Sequence, residues 1–321
     1  MNIKHRSYPL RLKKLEALLR RLPPHHPKIP HIRDAIARTR AGYQGERSLD
    51  FHLSFIPHKD YLVIHDLRLF DGKHFFQMDT VLLSQKFILI LEVKNISGTL
   101  LLDRDIHQLT RISNEKEEAF PDPVLQIERQ QQQLALWIED QFSITSFPIE
   151  ALVLLSGKNT VLKLKNDRDS EKILKSEGFI HRLNKLEQRH QTAQISLDQL
   201  YPMAYKIVQG HRELHQNVLE LFGIEESELL LGVYCQSCFT KMVWVKGKWQ
   251  CSPCGIKSTD SHIQALQDYA YLCHPKISNK QARKYLGIKS GDTIKRLLVK
   301  LGGNKIGSNK DRKYEIPLPM R

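Results

Sequence analysis

The sequence predicts an α/β protein in which a larger N-terminal part is followed by a small cysteine module and a basic helical segment. Three observations lead to this prediction. The apolar periodicity over 31–157 changes in the order helix, strand, strand, strand, helix, strand. Two Cys-x-x-Cys pairs follow within 235–254, and two short amphipathic helices are indicated within 277–302. We therefore expect four parts: a basic extension at 1–40, an α/β domain at 41–230, a cysteine module at 231–260, and a basic helical segment with its tail at 261–321.

The α/β part is predicted to start with a helix from His31 to about Phe55, with Gly42 and Gly45 as candidate interruptions. Three strand-like runs with short turns between them favour an antiparallel meander, and they span Tyr61–Leu69, Phe75–Leu83 and Lys86–Asn95. The next helix, Asp122–Phe142, is expected to begin at an Asp-Pro cap. The remaining predicted elements are a buried strand at Ile149–Gly157 and helices near 181–191 and 197–222.

The net charge of the 321-residue chain is +14, and the basic excess is concentrated at the two ends. Residues 1–41 contain 11 basic and 2 acidic residues, residues 273–321 contain 13 and 3, and residues 42–234 contain 21 and 28. Basic ends are typical of proteins that bind a polyanion, so we expect nucleic acid as the partner, with DNA favoured. Neither a membrane-spanning run nor the apolar stretch of a secretory signal is present, so we expect a cytoplasmic protein without a membrane partner.

Candidate catalytic groups lie near the ends of the second and third predicted strands. Asp79 is in the second strand, and Glu92 and Lys94 end the third. Because strand side chains alternate between faces, Glu92 and Lys94 point to the same side, and a neighbouring strand can bring Asp79 beside them. Carboxylate oxygens bind Mg²⁺ or Mn²⁺, and such a metal with a nearby lysine suits phosphodiester hydrolysis. Taken alone, a Glu-x-Lys pair is more often a solvent-facing ion pair at a strand end.

Three segments of this region resemble one known family. GYQGERSLDFHL, QMDTVLLSQKFILILEVKNISGTL and PDPVLQIERQQQQLALWI, which fall within residues 40–157, resemble the nuclease-related domain (NERD) family. That family is grouped with the PD-(D/E)XK nuclease superfamily. The resemblance implies a restriction-endonuclease-like αβββαβ core and a metal-dependent nuclease site.

The resemblance also implies roles for single residues. Glu46 matches the glutamate of the Gly-Glu motif, Asp79 the aspartate of the Gln-x-Asp strand, and Gln126 the glutamine that opens the following helix. Glu92 and Lys94 match the Glu-x-Lys strand. In the superfamily these positions bind metal and activate water, so Asp79 and Glu92 are the expected ligands of Mg²⁺ or Mn²⁺. Thr80 departs from the histidine that relatives often have there.

The cysteine module has the spacing of a zinc ribbon. Its two pairs, Cys235 with Cys238 and Cys251 with Cys254, are separated by twelve residues of strand-like sequence. Four thiolates fill the tetrahedral coordination of Zn²⁺, so we expect a structural rather than a catalytic metal. Chance cysteines and redox pairs are the alternatives. Nearby side chains are candidates for contact with nucleic acid: Lys241, Lys246, Lys248 and Trp249.

The segment Ile277–Gly302 is predicted to form a helix-turn-helix-like unit, closed after its first helix by Gly287. In DNA-binding proteins the second helix of such a unit enters the major groove, with its first residues near the bases. The expected contacts are Lys289, Ser290, Thr293, Lys295 and Arg296. The alternative is a helical hairpin that packs on the zinc ribbon with its lysines in solvent. The sequence as a whole predicts a metal-dependent nuclease, and the alternative is a non-catalytic DNA-binding or regulatory protein with a degenerate nuclease fold.

Overall fold

The computed structural model of the protein describes residues 1–57, 59–166, 170–308 and 311–319. The helices are α1 Leu10–Arg21, α2 Ile29–Leu53, α3 Pro123–Phe142, α4 Phe179–Arg189, α5 Leu197–Gln209, α6 Val218–Phe222, α7 Ser261–Leu272, α8 Asn279–Leu286 and α9 Gly291–Lys300. The strands are β1 Asn2–Lys4, β2 Leu62–Phe70, β3 Phe75–Leu83, β4 Ile88–Lys94, β5 Gly98–Asp103, β6 Gln108–Ser113, β7 Lys116–Pro121, β8 Ile149–Leu155, β9 Thr160–Leu164, β10 Ile173–Lys175, β11 Val243–Val245, β12 Lys248–Gln250, β13 Lys257–Ser258, β14 Lys276–Ser278, β15 Lys305–Ile306 and β16 Lys313–Glu315.

The chain packs as two compact units. The first contains Met1–Ser7 and Arg40–Leu214, and the second contains Tyr8–Thr39 and His215–Arg321. The first seven residues, predicted to belong to a basic extension, thus pack with the α/β part. The four-part division predicted from the sequence stays a prediction.

The first unit is built on a six-stranded sheet in the order β1-β2-β3-β4-β8-β10. The antiparallel pairing of β2 with β3 and of β3 with β4 confirms the predicted meander, and β4 pairs in parallel with β8 after α3. One face of the sheet is covered by apolar residues of α3 and α5, and the other by those of α2 and α4. Because helices cover both faces, the central strand β4 is apolar along most of its length.

A second sheet of the first unit was not predicted from the sequence. It has the order β7-β6-β5-β9 and inserts most of its strands between β4 and α3. These strands have five or six residues each, and β7 is largely exposed, so their apolar alternation is weak. The parallel pairing of β5 with β9 also joins segments more than fifty residues apart, which local sequence patterns do not reveal.

Helix α2 runs without interruption through Gly42 and Gly45. A Cβ atom at Gly45 would lie 2.4 Å from Cβ of Asn95 and 2.9 Å from Oγ of Ser156, whereas one at Gly42 would meet nothing within 4 Å. The glycine at 45 therefore lets the helix approach the ends of β4 and β8 closely. This contact fixes the helix immediately before Glu46.

Substitution of these two glycines by alanine is expected to have opposite effects. Gly42→Ala should raise the free energy of unfolding by up to about 1 kcal/mol, because alanine is the better helix former at an open position. Gly45→Ala should lower it by about 1–3 kcal/mol, because the added methyl group overpacks the contact with Asn95. Denaturant unfolding of both variants tests this. Equal shifts of the two variants would contradict the close packing at Gly45.

In the second unit, the cysteine module and the helices that follow it share one apolar core. That core contains Cys235, Cys251 and Trp249 together with Leu266, Leu286 and Leu298. The module forms the antiparallel sheet β11-β12-β13, and a further sheet has the order β14-β16-β15. The predicted helix near 197–222 is wrong as a continuous element: α5 ends at Gln209 and α6 begins at Val218.

Helices α8 and α9 lie where the sequence predicts the two helices of the basic segment. The Ser278 hydroxyl caps α8, Gly287 ends it with φ of +74°, and the Ser290 hydroxyl caps α9. The strands β15 and β16 follow as an antiparallel hairpin that was not predicted from the sequence. None of the helices in the described ranges combines the length and apolarity needed to cross a membrane.

Candidate functional site

The candidate site lies where β3 and β4 stop pairing with each other. Their ladder runs from Leu83–Ile88 to Thr80–Leu91, and the next residues along the two strands are Asp79 and Glu92. At this point the backbone N–H of Val93 donates to Oδ2 of Asp79, over 2.8 Å, instead of to a strand carbonyl. The predicted neighbours Asp79 and Glu92 are thus brought to adjacent register positions at the end of the ladder.

Lysine and glutamine side chains surround Glu92, which is 5% exposed. Nζ of Lys94 donates to Oε1 of Glu92 over 2.7 Å and to Oε1 of Gln126 over 2.9 Å. This contact confirms that Glu92 and Lys94 lie on one side of β4. Lys94 therefore links β4 to the first turns of α3. Its ammonium group lies between the carboxylate of Glu92 and the amide of Gln126.

Glu46 approaches the same region from α2 but is held by an arginine. Nη1 of Arg6 donates to Oε2 of Glu46 over 3.1 Å, and the Arg6 side chain is 4% exposed. Its other amino group, Nη2, contacts Nδ1 of His65 and Oγ1 of Thr80, each over 3.0 Å. The hydroxyl of Thr80 thus accepts a hydrogen bond from Arg6.

Arg6 was missed by the sequence analysis, which assigned the first forty residues to a basic extension. The strand β1 pairs in parallel with β2, and this pairing positions Arg6 two residues beyond β1. A three-residue strand of mixed polarity has no recognisable periodicity, so the sequence offers no signal for it. The structure also buries Arg21, which donates to Oδ2 of Asp268 over 2.8 Å, so part of the N-terminal positive charge is used internally.

The three carboxyl groups of the site influence one another. Burial, followed by the charges of Glu92 and Glu46, raises the pKa of Asp79 well above its usual range. Burial and the charge of Asp66 raise the pKa of Glu46 to about 7, although Arg6 opposes this shift. A buried cluster of like charges favours either a shared proton or a bound cation. Either a proton on Asp79 or a cation would relieve the repulsion among these carboxyl groups.

Gln130 is a second residue that the sequence analysis missed. It lies one helical turn after Gln126 on α3, and its Nε2 donates to Oε2 of Glu92 over 3.1 Å and to the backbone oxygen of Gln77 over 2.7 Å. Gln130 is 4% exposed, and its Oε1 has no hydrogen-bond partner among the described residues. The sequence signal for it is weak, because the four-residue spacing that puts Gln130 on the same helix face as Gln126 falls within a run of four glutamines.

The four cysteines form a compact cluster. Their sulfur atoms lie within 4.8 Å of one another, with Sγ of Cys238 at 3.3 Å from that of Cys251 and Sγ of Cys235 at 3.5 Å from that of Cys254. Tetrahedral Zn²⁺ with Zn–S bonds of about 2.3 Å places its sulfurs about 3.8 Å apart, so the cluster is consistent with structural zinc. Within the described residues, this is the only group of three or more potential ligands that lie so close together. The three carboxyl groups are not assembled to that degree.

The predicted nucleic-acid contacts fall into two groups on the second unit. Lys241, Lys246 and Lys248 are exposed on the cysteine module. The others surround the beginning of α9, where Lys289, Ser290, Lys295 and Arg296 are exposed and Thr293 is half-buried. The prediction that Trp249 contacts nucleic acid is wrong. Trp249 is 1% exposed, and its indole N–H donates to Nδ1 of His262 over 3.3 Å. It belongs to the apolar core, where it cannot contact nucleic acid.

Comparison with known families identifies one part of the chain. Residues 41–156 match the family model of NERD, the nuclease-related domain. The matched range contains Glu46, Asp79, Glu92, Lys94 and Gln126, whereas Arg6 and the four cysteines lie outside it. Neither the curated proteins nor the solved structures gave a match to the chain.

Proposed function

We propose, from the premise that residues 41–156 form a nuclease-related domain, that the protein hydrolyses phosphodiester bonds of nucleic acid, with DNA as the favoured substrate. One observation supports this above the others: Asp79, Glu92, Lys94 and Gln126 meet where β3 and β4 separate. We also infer that α2, β2, β3, β4, α3 and β8 form a restriction-endonuclease-like core, into which the second sheet is inserted.

The residues of the site suit a hard divalent cation. Asp79 and Glu92 offer carboxylate oxygens at adjacent register positions, and burial together with the charges of Glu92 and Glu46 raises the pKa of Asp79. They are the residues that would hold Mg²⁺ or Mn²⁺, and such an ion supplies Lewis-acid stabilisation of the charge on phosphate oxygens. The four cysteines would hold Zn²⁺ as a structural metal.

The other residues act through hydrogen bonds and charge. Lys94 has the reach to orient an attacking water beside Glu92 and to stabilise negative charge on a phosphate oxygen. Gln126 accepts from Lys94, and its amide N–H₂ remains the donor for water or phosphate. Glu46 assists through water rather than as a third ligand, because Arg6 holds its carboxylate.

The second unit is proposed to supply the sequence-independent part of polynucleotide binding. The exposed cations of the cysteine module and of the beginning of α9 supply a sequence-independent attraction for phosphate groups. By analogy with helix-turn-helix units, the start of α9 would be the part that enters a major groove, and the two capped helices α8 and α9 support this assignment. We expect this binding to weaken steeply as salt concentration rises.

The test is cleavage by the wild-type protein. Supercoiled plasmid and single-stranded DNA are incubated with Mn²⁺, with Mg²⁺ and without added divalent ion. We expect cleavage that requires one of the added metals. Breakdown to the same extent in all three buffers, or no breakdown in any of them, would contradict the proposal.

A second candidate function is non-catalytic binding of nucleic acid. Three contacts favour it: Lys94 and Gln130 each donate to one oxygen of Glu92, and Arg6 forms an ion pair with Glu46. Side chains of the protein thus provide hydrogen bonds or an ion pair to two of the three carboxylates, Glu92 and Glu46. Salt-dependent DNA binding without any metal-dependent cleavage would favour this candidate over the nuclease.

A further inference from the structure

A cleft of about 570 Å³ opens beside the candidate site, between the β2–β3 hairpin and α3. Two of its lining residues, Gln126 and Gln130, also contact Lys94 and Glu92. The full lining consists of His74, Phe75, Phe76, Gln77, Gln126, Arg129, Gln130 and Gln133. It contains an arginine and no carboxylate, so the cleft suits an anionic ligand with flat and hydrogen-bonding parts.

The outer end of the cleft is aromatic. Phe75 lines the cleft and is 49% exposed. Its cross-strand partner in the hairpin is Phe70, which is 45% exposed. Their ring centroids are 4.8 Å apart, and the guanidinium carbon of Arg68 lies 3.8 Å from the Phe75 centroid. Phe75 and Phe70 are half exposed at the tip of the hairpin, and Arg68 covers part of the Phe75 ring, so the rest of that ring is the surface available for stacking.

The inner end of the cleft has an unused hydrogen-bond acceptor. Oε1 of Gln130 lacks a hydrogen-bond partner among the described residues, although only 4% of the residue is exposed. A buried polar atom without a partner costs free energy unless a ligand or water satisfies it. The cleft thus joins the exposed part of the Phe75 ring to one unsatisfied polar atom, on a side chain that also contacts Glu92.

We propose that this cleft binds one unpaired nucleotide of a single-stranded polynucleotide, with its base stacked on Phe75 and its phosphate side toward Arg129. The inference rests on the proposed function and names its substrate class. A base inside a duplex has both faces covered by its neighbours, so it has no free face for an aromatic side chain. A nucleotide in the cleft therefore belongs to a single strand or to a frayed end. It lies next to the phosphodiester bond that would be cleaved at the Asp79–Glu92 site.

The experiment measures binding of fluorescein-labelled oligothymidylate to the full chain by anisotropy, without added divalent ion so that cleavage does not contribute. Stacking of one base on an aromatic residue contributes about 1–3 kcal/mol, so Phe75→Ala should weaken binding about five- to 100-fold. The matched control is Phe51→Ala, which removes a phenylalanine that is 65% exposed on α2, outside the cleft. We expect the control to bind like the wild type.

A conservative variant separates stacking from a structural effect. Phe75→Trp should retain the wild-type affinity, and its added indole fluorescence should be quenched by the oligonucleotide because a base stacks on it. Equal binding by wild type, Phe75→Ala and Phe51→Ala, or an indole signal that the oligonucleotide leaves unchanged, would overturn the proposal.

The outcomes for the cleft and for catalysis are independent. Loss of oligothymidylate binding in Phe75→Ala, in a protein that cleaves nothing with Mn²⁺, would support the cleft and contradict the nuclease. Metal-dependent cleavage together with unchanged binding by Phe75→Ala would support the nuclease and contradict the cleft.

Discussion

Glu92→Gln is expected to reduce metal-dependent cleavage by about 10³-fold or more, as is typical for loss of a metal-binding or charge-stabilising group in an active site. The substitution keeps the shape of the side chain but removes its negative charge. It also turns one acceptor oxygen into an N–H₂ donor facing Lys94 or Gln130, which are themselves donors. Both the cation affinity of the site and the orientation of Lys94 should therefore be lost.

The measurement is the initial rate of plasmid cleavage over a Mn²⁺ titration, with thermal unfolding recorded for each variant. Glu117→Gln is the matched control, because it makes the same chemical change at an exposed position on β7. We expect it to cleave at the wild-type rate. Equal rates for the wild type and Glu92→Gln would mean that the activity belongs to another protein in the preparation.

Asp79→Asn provides an independent check on the same site. The pKa of Asp79 is raised by burial and by the charges of Glu92 and Glu46, so neutralising residue 79 should relieve repulsion in the folded protein. We therefore expect this variant to lose cleavage while its unfolding temperature is unchanged or higher. A loss of both activity and stability would instead indicate that Asp79 has a structural role.

Periodicity and short turns were sufficient to predict the central part of the first unit. Strand alternation placed Glu92 and Lys94 on one side of β4, and the 2.7 Å contact between them confirms this. The cap of α3 was equally local: the Asp122 carboxylate accepts from the N–H groups of Val124 and Leu125. Such features depend on neighbours a few residues away, so one sequence contains enough information for them.

Features that depend on distant pairing were not predicted. Arg6 reaches Glu46 because β1 pairs with β2, some sixty residues along the chain, and nothing in the first seven residues signals that partner. Gln130 was overlooked within a run of glutamines, since only its contact with Glu92 distinguishes it from the others. The shared core of the cysteine module and α7–α9 also arises from tertiary packing that spacing does not reveal.

Loss of Cys251, one of the four proposed zinc ligands, is the second large effect that we expect. Cys251 is 2% exposed and belongs to the same apolar core as Trp249, Leu266 and Leu286. Structural zinc contributes about 10–16 kcal/mol to the folding of small zinc modules at neutral pH. In Cys251→Ser, zinc should be lost, and the backbone amides of β11, β12 and β13 should exchange rapidly with solvent, with weaker protection in α7 and α8.

Zinc content and hydrogen exchange of the purified full chain test this expectation. Cys273→Ser is the matched control, because Cys273 lies outside the cluster of four sulfurs and should leave the zinc content unchanged. The amides of β3 and β4, which belong to the first unit, should keep their protection in both variants. A Cys251→Ser protein that retains zinc, or whose β11–β13 amides stay as protected as those of the wild type, would show that the four sulfurs do not act as one structural metal site.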